Sequence, residues 1–193
     1  MAIDSTDLAA YANGQRYRYK GGPEREAFSD PDASWGHRSA VSSRKGGGFY
    51  GYKLHLAACT RTGLPLAWEI RSAREADMRV AEPLLDRLGA GTDTASMDAG
   101  YDYRSVHNAC GNRGILPVIA KRRNSGTPEG PLARTSDRFK RLYRARSAIE
   151  RQFGILKHHF ALGQIRVRGL EQVRLHADLC ILTRLTVAWQ EAG

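Results

Sequence analysis

No apolar run in this chain approaches the roughly 20 residues that a membrane span requires. The first ten residues, MAIDSTDLAA, carry neither the basic start nor the apolar core of a signal peptide. Cysteine is scarce: Cys59, Cys110 and Cys180 are widely separated, odd in number, and form no CxxC pair. That excludes a disulfide framework and a structural zinc site as readings, and it points to a reducing compartment. The histidines are scattered. His158 and His159 are adjacent and so face different sides of a helix, which suits a helix end or a phosphate contact better than a pair of metal ligands. Internal repeats are absent, and 193 residues suit one domain with a sizeable core.

What the chain has in excess is positive charge. The formal net charge is +10, and it is unevenly placed. Residues 1 to 120 hold 15 Lys/Arg against 14 Asp/Glu, whereas residues 121 to 193 hold 15 against 6. A basic third of this kind attracts polyanions, nucleic acid above all. Arginine outnumbers lysine 24 to 6. That ratio suits bidentate phosphate contacts, although a GC-rich genome produces the same bias.

Along the chain, AIDST reads as the end of a strand carrying an acid. Residues 12–48, polar and rich in Gly, Arg and Ser, read as a long flexible basic loop. The segment FYGYKLHLAACTRTGLPLAWEI then gives a hairpin, with Tyr50, Tyr52, Leu54 and Leu56 on one face and TRTGLP as the turn. EADMRVAEPLLDRLGA has helical spacing, with acids in its first turn and Pro83 as a point of kinking or late start. TASMDAGYD is a strand ending in a glycine turn, YRSVHNACGNRG a helix and ILPVIAKRR a strand, which makes a parallel strand-helix-strand unit. TSD caps a helix running to Phe160, and a last amphipathic helix follows. The order predicts an α/β domain with a mixed sheet.

The stretch YRARSAIERQFGILK carries the most chemistry. Read as one helix at about 100° per residue, it brings Tyr143, Arg146, Glu150 and Lys157 within an arc of roughly 60°. Leu142, Ile149, Phe153, Leu156 and Phe160 line a neighbouring core stripe, while Lys140, Arg141, Arg144 and Arg151 face solvent. An Arg and a Glu four apart usually make only a surface pair worth a few tenths of a kcal/mol. Two further acids change the reading. Asp98 stands at the carboxyl end of a strand, where active sites of open α/β sheets gather, followed by the small residues Ala99 and Gly100. Asp4 lies on another strand. Two aspartates and a helical glutamate supply hard oxygen ligands suited to Mg²⁺ or Mn²⁺ and to two-metal phosphoryl transfer. Asp30 and Asp32, in SDPDASWG, compete with Asp4 for the role of first acid, but their segment reads as a mobile loop.

The whole chain resembles the DDE transposases of bacterial insertion sequences, in the group of families four and five. AIDST, FYGYKLHLAA, MDAGYDY and PVIAKRRN carry the resemblance, and its most specific part is Tyr143-x2-Arg146-x3-Glu150-x6-Lys157. The resemblance implies an RNase H-like fold, a mixed sheet with helices on both faces, over residues 1–193. It implies a divalent-metal site at Asp4, Asp98 and Glu150, which also makes them the catalytic residues. It further implies phosphate contacts from Tyr143, Arg146 and Lys157, joined by Lys121, Arg122 and Arg123 of PVIAKRRN. The implied partners are transposon terminal inverted repeats and target DNA, with a second copy or the product of a separate upstream reading frame, in a bacterial cytoplasm at the nucleoid. Catalytically inactive DNA-binding remnant and RNase H-like nuclease are the rival expectations. Relatives carry an N-terminal helical DNA-binding region, and here Met1 lies only three residues ahead of Asp4. The chain is therefore expected to lack that region, either as a truncated remnant or as a frameshift partner, and to hold Asp4 near a frayed terminus.

Overall fold

The structure is a computed structural model that describes residues 1–15, 28–38, 46–89, 91–123, 126–127 and 129–193. Among the described residues, six strands form one mixed sheet: β1 (Ala2–Ala9), β2 (Ser34–Arg38), β3 (Gly47–Ala58), β4 (Pro65–Ser72), β5 (Thr94–Met97) and β6 (Leu116–Ile119). Their order is β2-β3-β1-β5-β6, with β4 also paired to β3. The helices are α1 (Asp77–Asp86), α2 (Arg104–Gly111), α3 (Asp137–Arg144), α4 (Ser147–His159) and α5 (Leu170–Ala192). The chain gathers into two compact units, one of Met1–Ser5, His55–Glu69 and Ala76–Ile155, the other of Thr6–Leu54, Ile70–Glu75 and Leu156–Gly193.

In the first unit β5 and β6 run parallel, Thr94 opposite Leu116 and Met97 opposite Ile119, with α2 as the crossover expected from sequence. Ile3, Val80, Leu84, Met97, Tyr101, Val106, Cys110 and Ile119 form the centre of the buried apolar cluster. β1 is not frayed. The Met1 ammonium donates to Thr94 O at 2.8 Å, and Ala2 pairs with Ser96 of β5. Asp4 consequently lies inside an eight-residue strand rather than at the end of a short one. The β3–β4 turn closes through Cys59 N to Leu64 O (2.9 Å) and Gly63 N to Cys59 O (2.7 Å), with Gly63 in the left-handed region. α1 contains Pro83 without ending there.

The second unit corrects the reading of residues 12–48 as loop. Ser34–Arg38 is a strand, antiparallel to β3 with Ser34 opposite Gly51 and Arg38 opposite Gly47. SWGHR has no apolar alternation to announce a strand; its pairing comes from the glycine-rich start of β3. Gly36 permits that pairing, because a Cβ there would meet Ala73 at 2.7 Å. Residues 16–27 and 39–45 of the expected loop lie outside the described residues. Asp30 is fully buried. Its carboxylate accepts from the Tyr52 hydroxyl at 2.7 Å and from Gly169 N at 3.3 Å, and Asp32 accepts from Leu170 N at 2.9 Å. These two acids therefore hold the start of α5, where a negative charge also favours the helix dipole.

The largest correction concerns YRARSAIERQFGILK. It is two helices, not one. At the junction the hydrogen bonds shorten to three-residue spacing: Arg146 N to Tyr143 O, Ala148 N to Ala145 O and Ile149 N to Arg146 O. Such a turn winds by about 120° per residue rather than 100°, so the continuous polar stripe does not form. Ser136 does cap α3 as TSD predicts, its Oγ accepting from Phe139 N at 3.2 Å.

Candidate active site

Asp4 and Asp98 are placed by strand register. β1 and β5 are parallel neighbours with Ala2 opposite Ser96, and two residues further along each chain stand Asp4 and Asp98. An even step keeps both on the same face of the pleat. Asp98 is the first residue beyond β5 and caps the one-turn 3₁₀ helix Ala99–Tyr101, its Oδ1 accepting from Gly100 N at 2.8 Å. Asp4 Oδ1 accepts from the neighbouring Ser5 N at 2.8 Å.

Arg146, at the α3–α4 junction, forks between two acids. Its Nη1 donates to Asp4 Oδ2 at 2.7 Å and its Nη2 to Glu150 Oε1 at 2.6 Å. Tyr143 supports the fork: the Arg146 guanidinium lies 5.7 Å from the centre of its ring, which stacks in turn on Phe139 at 5.8 Å. Burial works against the Arg146 charge, but Asp4, Tyr143, Glu150 and Asp98 together raise its pKa. One cation does not balance the cluster. Burial first, and then the charge of Asp98, push the Asp4 carboxyl up to about 7 despite the opposing help of Ser5 N and Arg146. Burial likewise raises Asp98, against Gly100 N and Arg146.

Asp77, which sequence reading treated only as a first-turn acid of α1, belongs to the same field. Its charge raises Asp4, Asp98 and the buried Tyr101 phenol, and its carboxylate lies 4.0 Å from the buried His55 ring. An acid at the start of α1 was the available signal, but the helix dipole explained it sufficiently by itself.

The other expected contacts are distributed differently. Lys157 falls in the second unit, where its Nζ donates to Asp7 O at 2.8 Å. Lys121 and Arg123 are exposed just beyond β6, and the Arg122 guanidinium sits 4.2 Å over the Tyr103 ring. Two cavities, of about 570 and 480 Å³, are lined by other residues, around Cys59 and Thr94 and around His107 and Gly130.

Residues 1–185 of the 193 match the family described as Transposase DDE domain. The chain belongs to this family. No curated protein matches the chain. In this DDE transposase domain the six-stranded mixed sheet and its helices make the RNase H-like arrangement expected from sequence. DNA is the substrate class that membership implies. Among the described residues, no helix is long and apolar enough to cross a membrane.

The donor chemistry of the transposase domain fits a divalent cation. Asp4, Asp98 and Glu150 are hard oxygen donors, and burial, followed by the charge of Asp98, raises the Asp4 carboxyl. With the side chains as they stand, no three His, Cys, Asp or Glu residues among those described surround one point. The Arg146 fork instead provides the positive charge between Asp4 and Glu150.

Proposed function

We propose that this domain is the catalytic part of a bacterial insertion-sequence transposase of the family four and five group, cutting DNA at transposon ends and joining it to a target. The observation that carries the reading is the Arg146 fork. It ties Glu150, the acid of the Tyr143-x2-Arg146-x3-Glu150 pattern, to Asp4, whose carboxyl also feels the charge of Asp98. Three acids remote in sequence thus share one electrostatic neighbourhood, in a chain whose basic excess lies in the same last third as Arg146.

In this reading Asp4, Asp98 and Glu150 would hold Mg²⁺ or Mn²⁺, which would supply activation of a water or a 3′-hydroxyl and stabilisation of the leaving oxygen. The protein's own residues do the rest. Arg146 orients the two carboxylates it touches and offsets phosphate charge, Tyr143 backs its guanidinium, and Lys157 with Lys121, Arg122 and Arg123 meets the DNA backbone. Terminal inverted repeats and target DNA are the substrates, and the bacterial cytoplasm is the place of action.

The deciding experiment is metal-dependent cleavage of DNA carrying the element's own terminal inverted repeats. Cleavage followed by joining to a second duplex supports transposition. Cleavage without joining would favour a nuclease, and binding without either would favour an inactive remnant.

A further inference from the structure

Asp102 lies outside the acidic cluster and is completely buried. Burying a carboxylate is costly unless every lone pair finds a donor. Here the donors are specific. Its Oδ1 meets His107 Nε2 at 3.0 Å and accepts from Arg134 Nη2 at 2.9 Å, and its Oδ2 accepts from Arg122 N at 3.0 Å. Its carbonyl oxygen accepts from Thr127 Oγ1 at 3.2 Å. Arg134 adds a second tie, its Nε donating to Ile119 O, the last residue of β6, at 3.0 Å.

These partners lie on α2 and, among the described residues after β6, at Arg122, Thr127 and Arg134, close in sequence to Lys121 and Arg123. Two details separate this arrangement from an ordinary ion pair. Arg134 pairs with the negative charge of Asp102, and among the described residues no ion pair joins Asp102 to Lys121, Arg122 or Arg123. From Arg122 it takes the main-chain N–H, leaving the guanidinium to lie against Tyr103. The carboxylate therefore fixes the backbone of the basic segment while leaving its side-chain charges available.

We propose that Asp102 is a positioning residue for DNA binding, holding Lys121, Arg122 and Arg123 in register for successive phosphates. The proposal rests on the reading that this segment meets DNA. Order matters for such contacts because each phosphate engaged releases counterions, and a segment free to wander loses entropy for each contact it makes.

The test is the salt dependence of binding to a short labelled duplex, using the full chain. Replacing Lys121, Arg122 and Arg123 together by Ala should flatten the slope of log affinity against log salt by roughly 2 to 3, at about 0.9 per phosphate contact. Asp102→Asn, which removes the charge and keeps the shape, should flatten it by about half as much. In the triple-alanine background Asp102→Asn should change affinity less than about twofold, because a positioning residue has nothing left to position. Arg134→Lys, which keeps the charge and loses the fork, should repeat this pattern more weakly and keeps the test available if Asp102→Asn does not fold. Parental salt slope and affinity in both hub variants would overturn the positioning role. So would an equal loss in the triple background, which would mean that Asp102 acts through general stability. A triple-alanine protein binding with the parental slope would instead overturn the DNA-contact reading, and the proposal with it.

Discussion

Replacing Asp4 by Asn should make the metal-free protein more stable, and increasingly so as pH rises. Asp4 is held with a carboxyl pKa of about 7 against an ordinary 3.8. For an acid raised on folding, the folded state keeps a proton that the unfolded state has already lost. Stability therefore falls as pH rises between the two values, and the full cost is present above about 7. At about 1.4 kcal/mol per unit, the three-unit gap costs on the order of 4 kcal/mol at pH 8 and less than half that at pH 5. Asn carries no such cost, and its amide oxygen can still accept from Arg146. Urea unfolding in the presence of a chelator should show Asp4→Asn gaining about 2 to 3 kcal/mol on the parent between pH 5 and pH 8. Mg²⁺ should restore the parent at pH 8 and leave the variant unmoved. If the variant were no more stable than the parent at pH 8, or if its advantage did not grow with pH, Asp4 would not be the desolvated carboxylate described above.

Glu150→Gln should abolish cleavage, by at least about a hundredfold, while leaving affinity for duplex DNA within about twofold; parental cleavage rates would remove Glu150 from the metal site. Arg146→Ala should weaken binding to every DNA sequence tested and flatten the salt dependence by about one contact, and sequence-selective loss in a titration series would contradict a phosphate role. Gly51→Ala should destabilise by more than about 3 kcal/mol, because a Cβ there would stand 2.1 Å from Leu8 O; an unchanged urea midpoint would mean that β1 can move aside.

Much of the frame was legible because local chemistry and tertiary demand agree. Tyr50, Tyr52, Leu54 and Leu56 alternate and are all buried, and Ser136 caps the helix that TSD announces. Asp98 was found because a strand followed by Ala-Gly leaves its last acid uncovered. Other features depend on partners far away in sequence. β2 is a strand only because β3 lies beside it. Asp30 looks like a loop acid, but two tyrosine hydroxyls and the first amides of α5 draw that segment inward: Tyr50 donates to its carbonyl oxygen at 2.6 Å, as Tyr52 does to its carboxylate. The break between α3 and α4 carries no Gly or Pro to mark it, and the pull of Asp4 on Arg146 across 142 positions is invisible to helical periodicity. Asp77 was hidden because a simpler explanation, the helix dipole, sufficed.

The Arg146 fork has a metrical consequence. A guanidinium is flat and rigid, so two oxygens hydrogen-bonded to its two terminal nitrogens are spaced by the group itself rather than by the strand and the helix that carry them. Asp4 and Glu150 are thus measured against a template of fixed width before any ion or nucleic acid arrives. Lysine in the same place would offer a single point of attraction on a flexible stem. It would satisfy the charge and hold either acid, but it would leave the separation between them to chance.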